Sequence, residues 1–428
     1  MDKNRDLQSR SWFRLDNAAL IYPAIESTFP SLVWRIAVTL DREVDPLRLK
    51  NALKRVMPRF PYFSTRLKRG FFWFYLEHND SDFIIYEDPK YPCIGIDYRK
   101  NRGYLFTLKH FGKRIALEAF HAFTDGGGGT VFLNNIVAEY LRLDGEEIPF
   151  APEFDVFDLS EPAPVEEYED CYHKYYSPAI KKLPILPAAY HFSGTLEREF
   201  DRLHNITGHL SVSELSRLAK SYGATVTEYM LAVYFSVIQE IQRDEGKTGV
   251  IRIPVAANLR RIFGCRTMRN FSYIVNVEID TRLGEYEFEE ILHEIQTQLK
   301  AGLTRKNVVK GFSANVNTEK NLFLRMTPLF LKIPAMTFVY SLSGDKQCTS
   351  AFSNLGKVNL PESMRPFVRY YTCNTMPSSL SPVSLTSIGY GDSLCISFTS
   401  RIREREIEKK FFTAFVKAGV KVRIESND

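Results

Sequence analysis

This sequence predicts an α/β fold in two domains, each mixing strands and helices, and three observations carry that prediction. Strand-type and helix-type patterns alternate through both halves of the chain. The length of 428 residues suits two or three domains at roughly 150 residues each. Between the halves, Asp144 to Gly194 collects seven prolines and many acids without sustained periodicity, the composition of a linker between domains.

Each element has a local reason. Ser31 to Leu40 is rich in β-branched and aromatic residues and reads as a strand. Asp45-Pro46 then opens a helix, with Asp as N-cap and Pro at the first position, and Leu49, Leu53 and Val56 form one face before Pro58 ends it. Phe71 to Glu77 and Phe83 to Tyr86 read as strands paired across the turn at Asn79 to Ser81. Tyr104 to His110 and Arg114 to Phe120 read as a hairpin around Gly112, its second strand running straight into His121. A helix from about Gly128 to Leu143 follows. Beyond the linker come a strand at Ile206 to Leu210 and two helix starts marked by capping boxes, Ser211 to Glu214 and Thr225 to Glu228, with Gly223 between them. The second helix is apolar nearly all round, which predicts burial. Strands at Val250 to Val255 and Ser272 to Asp280, helical stretches between Phe288 and Lys332, strands from Ala351 to Phe398 and an amphipathic helix from Glu404 to Ala418 complete the chain.

Composition excludes several classes. With 44% hydrophobic and 25% charged residues the chain is ordinary globular protein, neither disordered nor fibrous. Its 56 Lys and Arg against 51 Asp and Glu are interleaved, so no nucleic-acid partner is expected, although the small positive excess suits an anionic ligand at one cleft mouth. The six cysteines contain no C-x-x-C pair, which disfavours a zinc ribbon or a disulfide scaffold and leaves reduced thiols as the expectation. The polar N-terminal decapeptide lacks the apolar core of a signal peptide, which points to a cytoplasmic location. No transmembrane segment is expected: the run from Tyr229 to Ile238 is too short, and that from Thr327 to Leu342 is interrupted by Lys332 and Pro334.

The sharpest local signal is Phe120-His121-Ala-Phe-Thr-Asp125-Gly126-Gly127-Gly128-Gly129, a histidine at a strand end followed by a glycine-rich turn into a helix. H-x-x-x-D-G arises by chance about 0.02 times in a chain with this many His, Asp and Gly. A histidine where a strand breaks into glycines has exposed backbone and room for a ligand, unlike one within a regular element. The glycines lack the Lys-Ser/Thr of a phosphate loop, so they serve close backbone approach. No Gly-x-Ser-x-Gly elbow is present. His204 and His209 have no nearby Cys or carboxylate cluster and read as structural, so no metal site is expected.

The chain resembles the chloramphenicol acetyltransferase-like acyltransferases, which include peptide-synthetase condensation domains, plant BAHD enzymes and bacterial and yeast alcohol acetyltransferases. His121, Asp125 and Gly126 match the shared H-x-x-x-D-G motif. Arg14-Leu-Asp-Asn-Ala18 with Pro23-Ala24, Ile253-Pro-Val-Ala-Ala-Asn-Leu-Arg260-Arg261 and Phe352-Ser-Asn-Leu-Gly356 match the alcohol acetyltransferase branch in the expected order, over nearly the whole chain. Phe120 stands where condensation domains carry a first histidine, and the D-F-G-W-G motif of BAHD enzymes is absent.

The resemblance implies two similar chloramphenicol acetyltransferase-like domains, each a mixed sheet flanked by helices, with an active-site tunnel between them: an N-terminal subdomain 1–143 carrying the motif, a linker 144–194 and a C-terminal subdomain 195–428. It implies transfer of an acetyl or longer acyl group from acyl-CoA, acetyl-CoA being the simplest, to a small-molecule alcohol, with CoA a co-substrate and no permanently bound cofactor. His121 is then the general base, since neutral imidazole accepts a hydroxyl proton at cellular pH. By itself Asp125 either orients the imidazole or braces the loop; in the family it pairs with an arginine from the second half, here Arg260, with Arg261 the alternative. Ser353 and Asn354 either polarise the substrate carbonyl or shape a strand crossing between domains. Lys306 and Lys310 are candidate phosphate contacts or simply solvated charge. The alternatives are a condensation-type enzyme taking a carrier-protein thioester or an amine acceptor, and a non-catalytic binding member of the family.

Overall fold

The computed structural model describes residues 12–26, 31–178, 186–199, 202–378 and 380–427, with all their side chains except those of 341–343. The first half runs β1 (Trp12–Arg14), α1 (Tyr22–Ile25), β2 (Val33–Leu40), α2 (Pro46–Val56), β3 (Thr65–Arg69), β4 (Phe74–His78), β5 (Ile85–Glu87), β6 (Phe106–Phe111), β7 (Arg114–Phe120) and α3 (Gly126–Leu143). Helix α2 starts as its sequence requires: the Asp45 carboxylate accepts from the Arg48 N–H at 2.8 Å, Pro46 follows, and Leu49, Leu53 and Val56 are buried. The β6–β7 hairpin turns at Gly112, whose φ of +54° is one that favours glycine.

The predicted pairing of Phe71–Glu77 with Phe83–Tyr86 is not what forms. β4 lies antiparallel between β3 and β1, while β5 runs parallel to β6 in a different sheet. The β3–β4 turn closes through the Gly70 N–H on the Trp73 carbonyl at 3.0 Å, where a Cβ on Gly70 would stand 2.7 Å from that oxygen. Asn79, read as a hairpin turn, instead anchors two segments: its amide donates to the Arg102 carbonyl and its oxygen accepts from Ser81.

The second half runs α4 (Cys171–Lys174), β8 (His204–Ser211), α5 (Val212–Ser221), α6 (Val226–Asp244), β9 (Val250–Asn258), α7 (Arg260–Phe263), β10 (Ser272–Asp280), α8 (Phe288–Gly302), α9 (Arg305–Lys320), α10 (Leu322–Met326), α11 (Leu329–Ser343), β11 (Ala351–Val358), β12 (Val368–Thr375), β13 (Val383–Tyr390), β14 (Ser393–Ser400), α12 (Glu406–Lys417) and β15 (Arg423–Ser426). The reciprocal capping box of Thr225 and Glu228 opens α6, which buries Tyr234, Phe235 and Ile238 against α8, α12 and the sheet. Helix α11 continues past Lys332, where the predicted helical stretches stop, with Pro334 accommodated on its exposed side. The edge strand β15 escapes sequence reading because four residues with one apolar side chain carry no strand pattern of their own.

The second sheet has the order β10-β9-β11-β13-β14-β8-β15, with β11 parallel to both neighbours and the other pairs antiparallel. The first sheet has the order β12-β2-β7-β6-β5, so a strand from the second half completes the sheet of the first. This crossing explains two of the buried hydroxyls of β13: Thr386 donates to the Cys373 carbonyl at 2.5 Å and Ser384 to the Thr375 carbonyl at 2.8 Å, tying the sheets along β12. One apolar core fills the first half together with β12 and its neighbours from the second half, and another fills the rest of the second half. Among the described residues no helix is long and apolar enough to cross a membrane.

Candidate active site

A cavity of about 430 Å³ opens where the halves meet, lined by Trp34, His121 and Asp125 from the first half and by Asn258, Arg260 and Asn354 from the second. His121 is the first residue beyond β7, and its N–H donates to the Leu32 carbonyl at 2.8 Å, so the strand end holds it in place. Tyr22 stacks on its ring at 5.1 Å, and the Trp34 indole meets it edge-on at 6.5 Å. Burial holds the imidazole below its usual range, because an imidazolium would be poorly solvated there.

The ring is oriented by a residue 149 positions away. His121 Nδ1 lies 3.3 Å from Asn270 Oδ1, and the Asn270 amide nitrogen donates to Asp16 at 3.1 Å. The Asn270 oxygen facing Nδ1 makes Nδ1 the donor, which leaves Nε2 as the unprotonated nitrogen of the neutral ring. Asp16 is fully buried, accepts also from the Ala19 N–H at 2.9 Å, and is pushed up to about 7 by burial despite nearby Arg269. Sequence reading missed Asn270 and used Asp16 only as part of a motif; no local pattern joins the two.

Asp125 faces away from the imidazole. It caps α3 through the Gly128 N–H, accepts from the Phe271 N–H at 2.9 Å, and takes both Arg260 terminal nitrogens, at 2.7 and 3.0 Å. Burial disfavours its charge, but the guanidinium overcomes this and holds the carboxyl below the usual range. Arg260 also donates to the carbonyls of Thr267 and Arg269, so one side chain ties α7, the 265–270 loop and the start of α3 together. Arg261 is exposed at the cavity edge.

The four glycines answer to packing. A Cβ on Gly126 would stand 2.7 Å from the Leu355 side chain, on Gly127 2.8 Å from Arg260, on Gly128 2.1 Å from the Met268 carbonyl oxygen and on Gly129 2.1 Å from the Trp34 ring. Three of these neighbours come from the second half, so the run is where the two halves close on each other. Thr124 adds a hydroxyl bond to the Met268 carbonyl at 2.6 Å.

Ser353 and Asn354 line the cavity on β11. The Asn354 amide donates to Thr227 Oγ1 and its oxygen accepts from the Gly356 N–H, both at 2.8 Å, which braces a register shift where Gly356 has φ +76°. One Asn354 N–H is left over. Lys306 and Lys310 are exposed on α9 and do not line the cavity; the basic groups at its rim are Arg261, Arg266 and Lys357, with Glu153 and Asp155 on the same rim. His204 pairs with Glu197 at 2.9 Å and His209 with Glu425 at 3.1 Å, and among the described residues no cluster could hold a metal ion.

No family model matches the chain, and no curated protein matches it by sequence. Solved structures do. TRI101 of F. graminearum, complexed with coenzyme A and deoxynivalenol, is 11% identical with a TM-score of 0.63, over 97% of this chain and 100% of its own. TRI3 trichothecene 15-O-acetyltransferase from Fusarium sporotrichioides is 12% identical with a TM-score of 0.56, over 94% and 93%. The condensation domain of the Monacolin K polyketide synthase MokA is 12% identical with a TM-score of 0.57, over 95% and 97%. The likeness at such identity is one of fold, and it covers 94% or more of this chain: the mixed α/β fold is shared with these acetyltransferases and with this condensation domain.

Proposed function

We propose that the protein is an acyltransferase that moves an acyl group from acyl-CoA to a hydroxyl acceptor, with His121 as general base. The observation that carries this reading is the placement of His121 at a cavity between the halves, with Nδ1 3.3 Å from Asn270 Oδ1 and burial holding the imidazole below its usual range. In the reaction Nε2 takes the hydroxyl proton as the acceptor oxygen attacks the thioester carbonyl. The tetrahedral intermediate collapses, the C–S bond breaks, and the imidazolium returns its proton to the thiolate, giving an ester and free CoA. Asp125 and Arg260 hold the loop that presents the base, and the spare Asn354 N–H is the candidate donor to the carbonyl oxygen. Arg261, Arg266 and Lys357 at the rim suit the phosphates of CoA, and TRI101 is itself a coenzyme A complex.

Two measurements test the reading. His121→Ala should lower turnover of acetyl-CoA with an alcohol by about 10² to 10⁴ while leaving the melting temperature unchanged. The KM for acetyl-CoA should rise with ionic strength, whereas an acetyl thioester lacking the nucleotide should react poorly and show no salt dependence. Equal use of both thioesters without salt response favours a carrier-protein donor, and binding without CoA release favours a non-catalytic member.

A further inference from the structure

We propose that the corner formed by α10 and α11, seated on the Phe71–Trp73 turn, docks the protein on an anionic lipid bilayer. Leu322, Phe323 and Met326 on α10, Phe330 and Leu331 on α11, and Phe71 beneath them are each more than half exposed, Phe323 by 80%. They form one surface: the Leu329 N–H donates to the Phe71 carbonyl at 2.8 Å, and Lys332 Nζ donates to the Phe72 carbonyl at 3.0 Å while lying 3.9 Å from the Trp73 ring. Helix α10 buries none of its residues, so packing in the core does not account for its Leu-Phe-Leu-Arg-Met sequence.

Charge selects the occupant. From Lys320 to Gly344 the exposed charged residues are Lys320 and Arg325, and on the β3–β4 hairpin Arg69 is exposed while Arg66 and Lys68 bridge to Glu77. A two-fold contact with a second copy would set these basic rims against each other. Side chains exposed to this degree stand out of the surface and do not line a groove, which suits insertion among headgroups better than capture of a peptide. Aromatic and aliphatic side chains flanked by Lys and Arg match the interface of a negatively charged leaflet. Helix α11 also packs on α1, with Thr337 Oγ1 donating to the Ala24 carbonyl at 3.3 Å, and α1 carries the Tyr22 that covers His121. Docking therefore brings the bilayer against the helices that stack Tyr22 on the His121 ring; it follows from the surface alone and stands apart from the acyl-transfer reading.

The full-length protein is sedimented with vesicles of phosphatidylcholine and with vesicles containing about 30% phosphatidylserine. Binding to the phosphatidylserine vesicles, lost or reduced severalfold at about 0.5 M salt and weak on phosphatidylcholine, is expected. Phe323→Glu with Phe330→Glu should weaken it about tenfold or more at an unchanged melting temperature, and Arg325→Glu should weaken it less. No binding to either vesicle, or equal binding by the double variant, overturns the proposal. So does a concentration-dependent dimer that the same double variant abolishes, which makes a second copy the occupant.

Discussion

Arg260 and Asp125 meet in a two-pronged ion pair across 135 positions of sequence, at 2.7 and 3.0 Å, where the two halves close on each other. Asp125 also caps α3 and holds the Phe271 N–H, so the pair is a joint between the halves as well as a charge contact.

Asp125→Asn should damage stability and turnover together. It leaves a buried guanidinium without its counter-charge, a loss of about 3 to 5 kcal/mol in unfolding free energy. Arg260→Gln should cost a similar amount, and the double variant should cost less than the sum because the two groups act as a unit. Denaturant titration of the three variants measures this; an additive result removes the coupling.

Asn270→Leu should lower kcat with little change in the KM for the acyl donor. Without the amide oxygen the imidazole loses the partner that keeps the proton on Nδ1, and a loss of about tenfold or more, within the 10² to 10⁴ that a base supplies, is expected. Nitrogen-resolved NMR of His121 reads the tautomer directly, and an unaltered tautomer with reduced kcat would contradict this role.

Catalysis should persist at moderately acid pH. Burial lowers the His121 pKa below the ordinary imidazole value of 6.5, so its neutral form survives there and the acid limb of kcat/KM should fall below that value. A limb at or above 6.5 contradicts a buried base.

Stability should show the opposite pH trend at Glu26, which burial raises to about 7 although the Tyr98 hydroxyl bound to it opposes the shift. A carboxyl raised in the folded state contributes its stability in full below the unfolded value near 4.5 and loses it as pH rises through about 7. Glu26→Gln should therefore match the parent melting temperature at low pH and exceed it progressively up to neutrality. Parallel melting curves across that range would rule out the raised carboxyl.

Gly128→Ala should destabilise by about 3 kcal/mol or prevent folding, because the added methyl meets the Met268 carbonyl oxygen and the Thr124 hydroxyl at 2.1 and 2.5 Å. Thermal melting measures it, and a neutral effect would show that the second half can move away from α3.

Features decided within a few residues were legible in the sequence. Asp45-Pro46, the Thr225–Glu228 box and Gly112 each answer to backbone groups no more than three or four positions away, and the alternation of the β6–β7 hairpin needed only its own turn. The strand end that presents His121 was legible for the same reason, and the motif resemblance singled out Asp125 and Arg260. Long-range choices were not legible: β4 takes β3 and β1 in place of the segment after Asn79, β12 joins the sheet of the other half, and His121 is held by Asn270. Strand partners and buried polar partners are selected by which surfaces remain unsatisfied once the halves pack, and a chain read one residue at a time does not contain that competition.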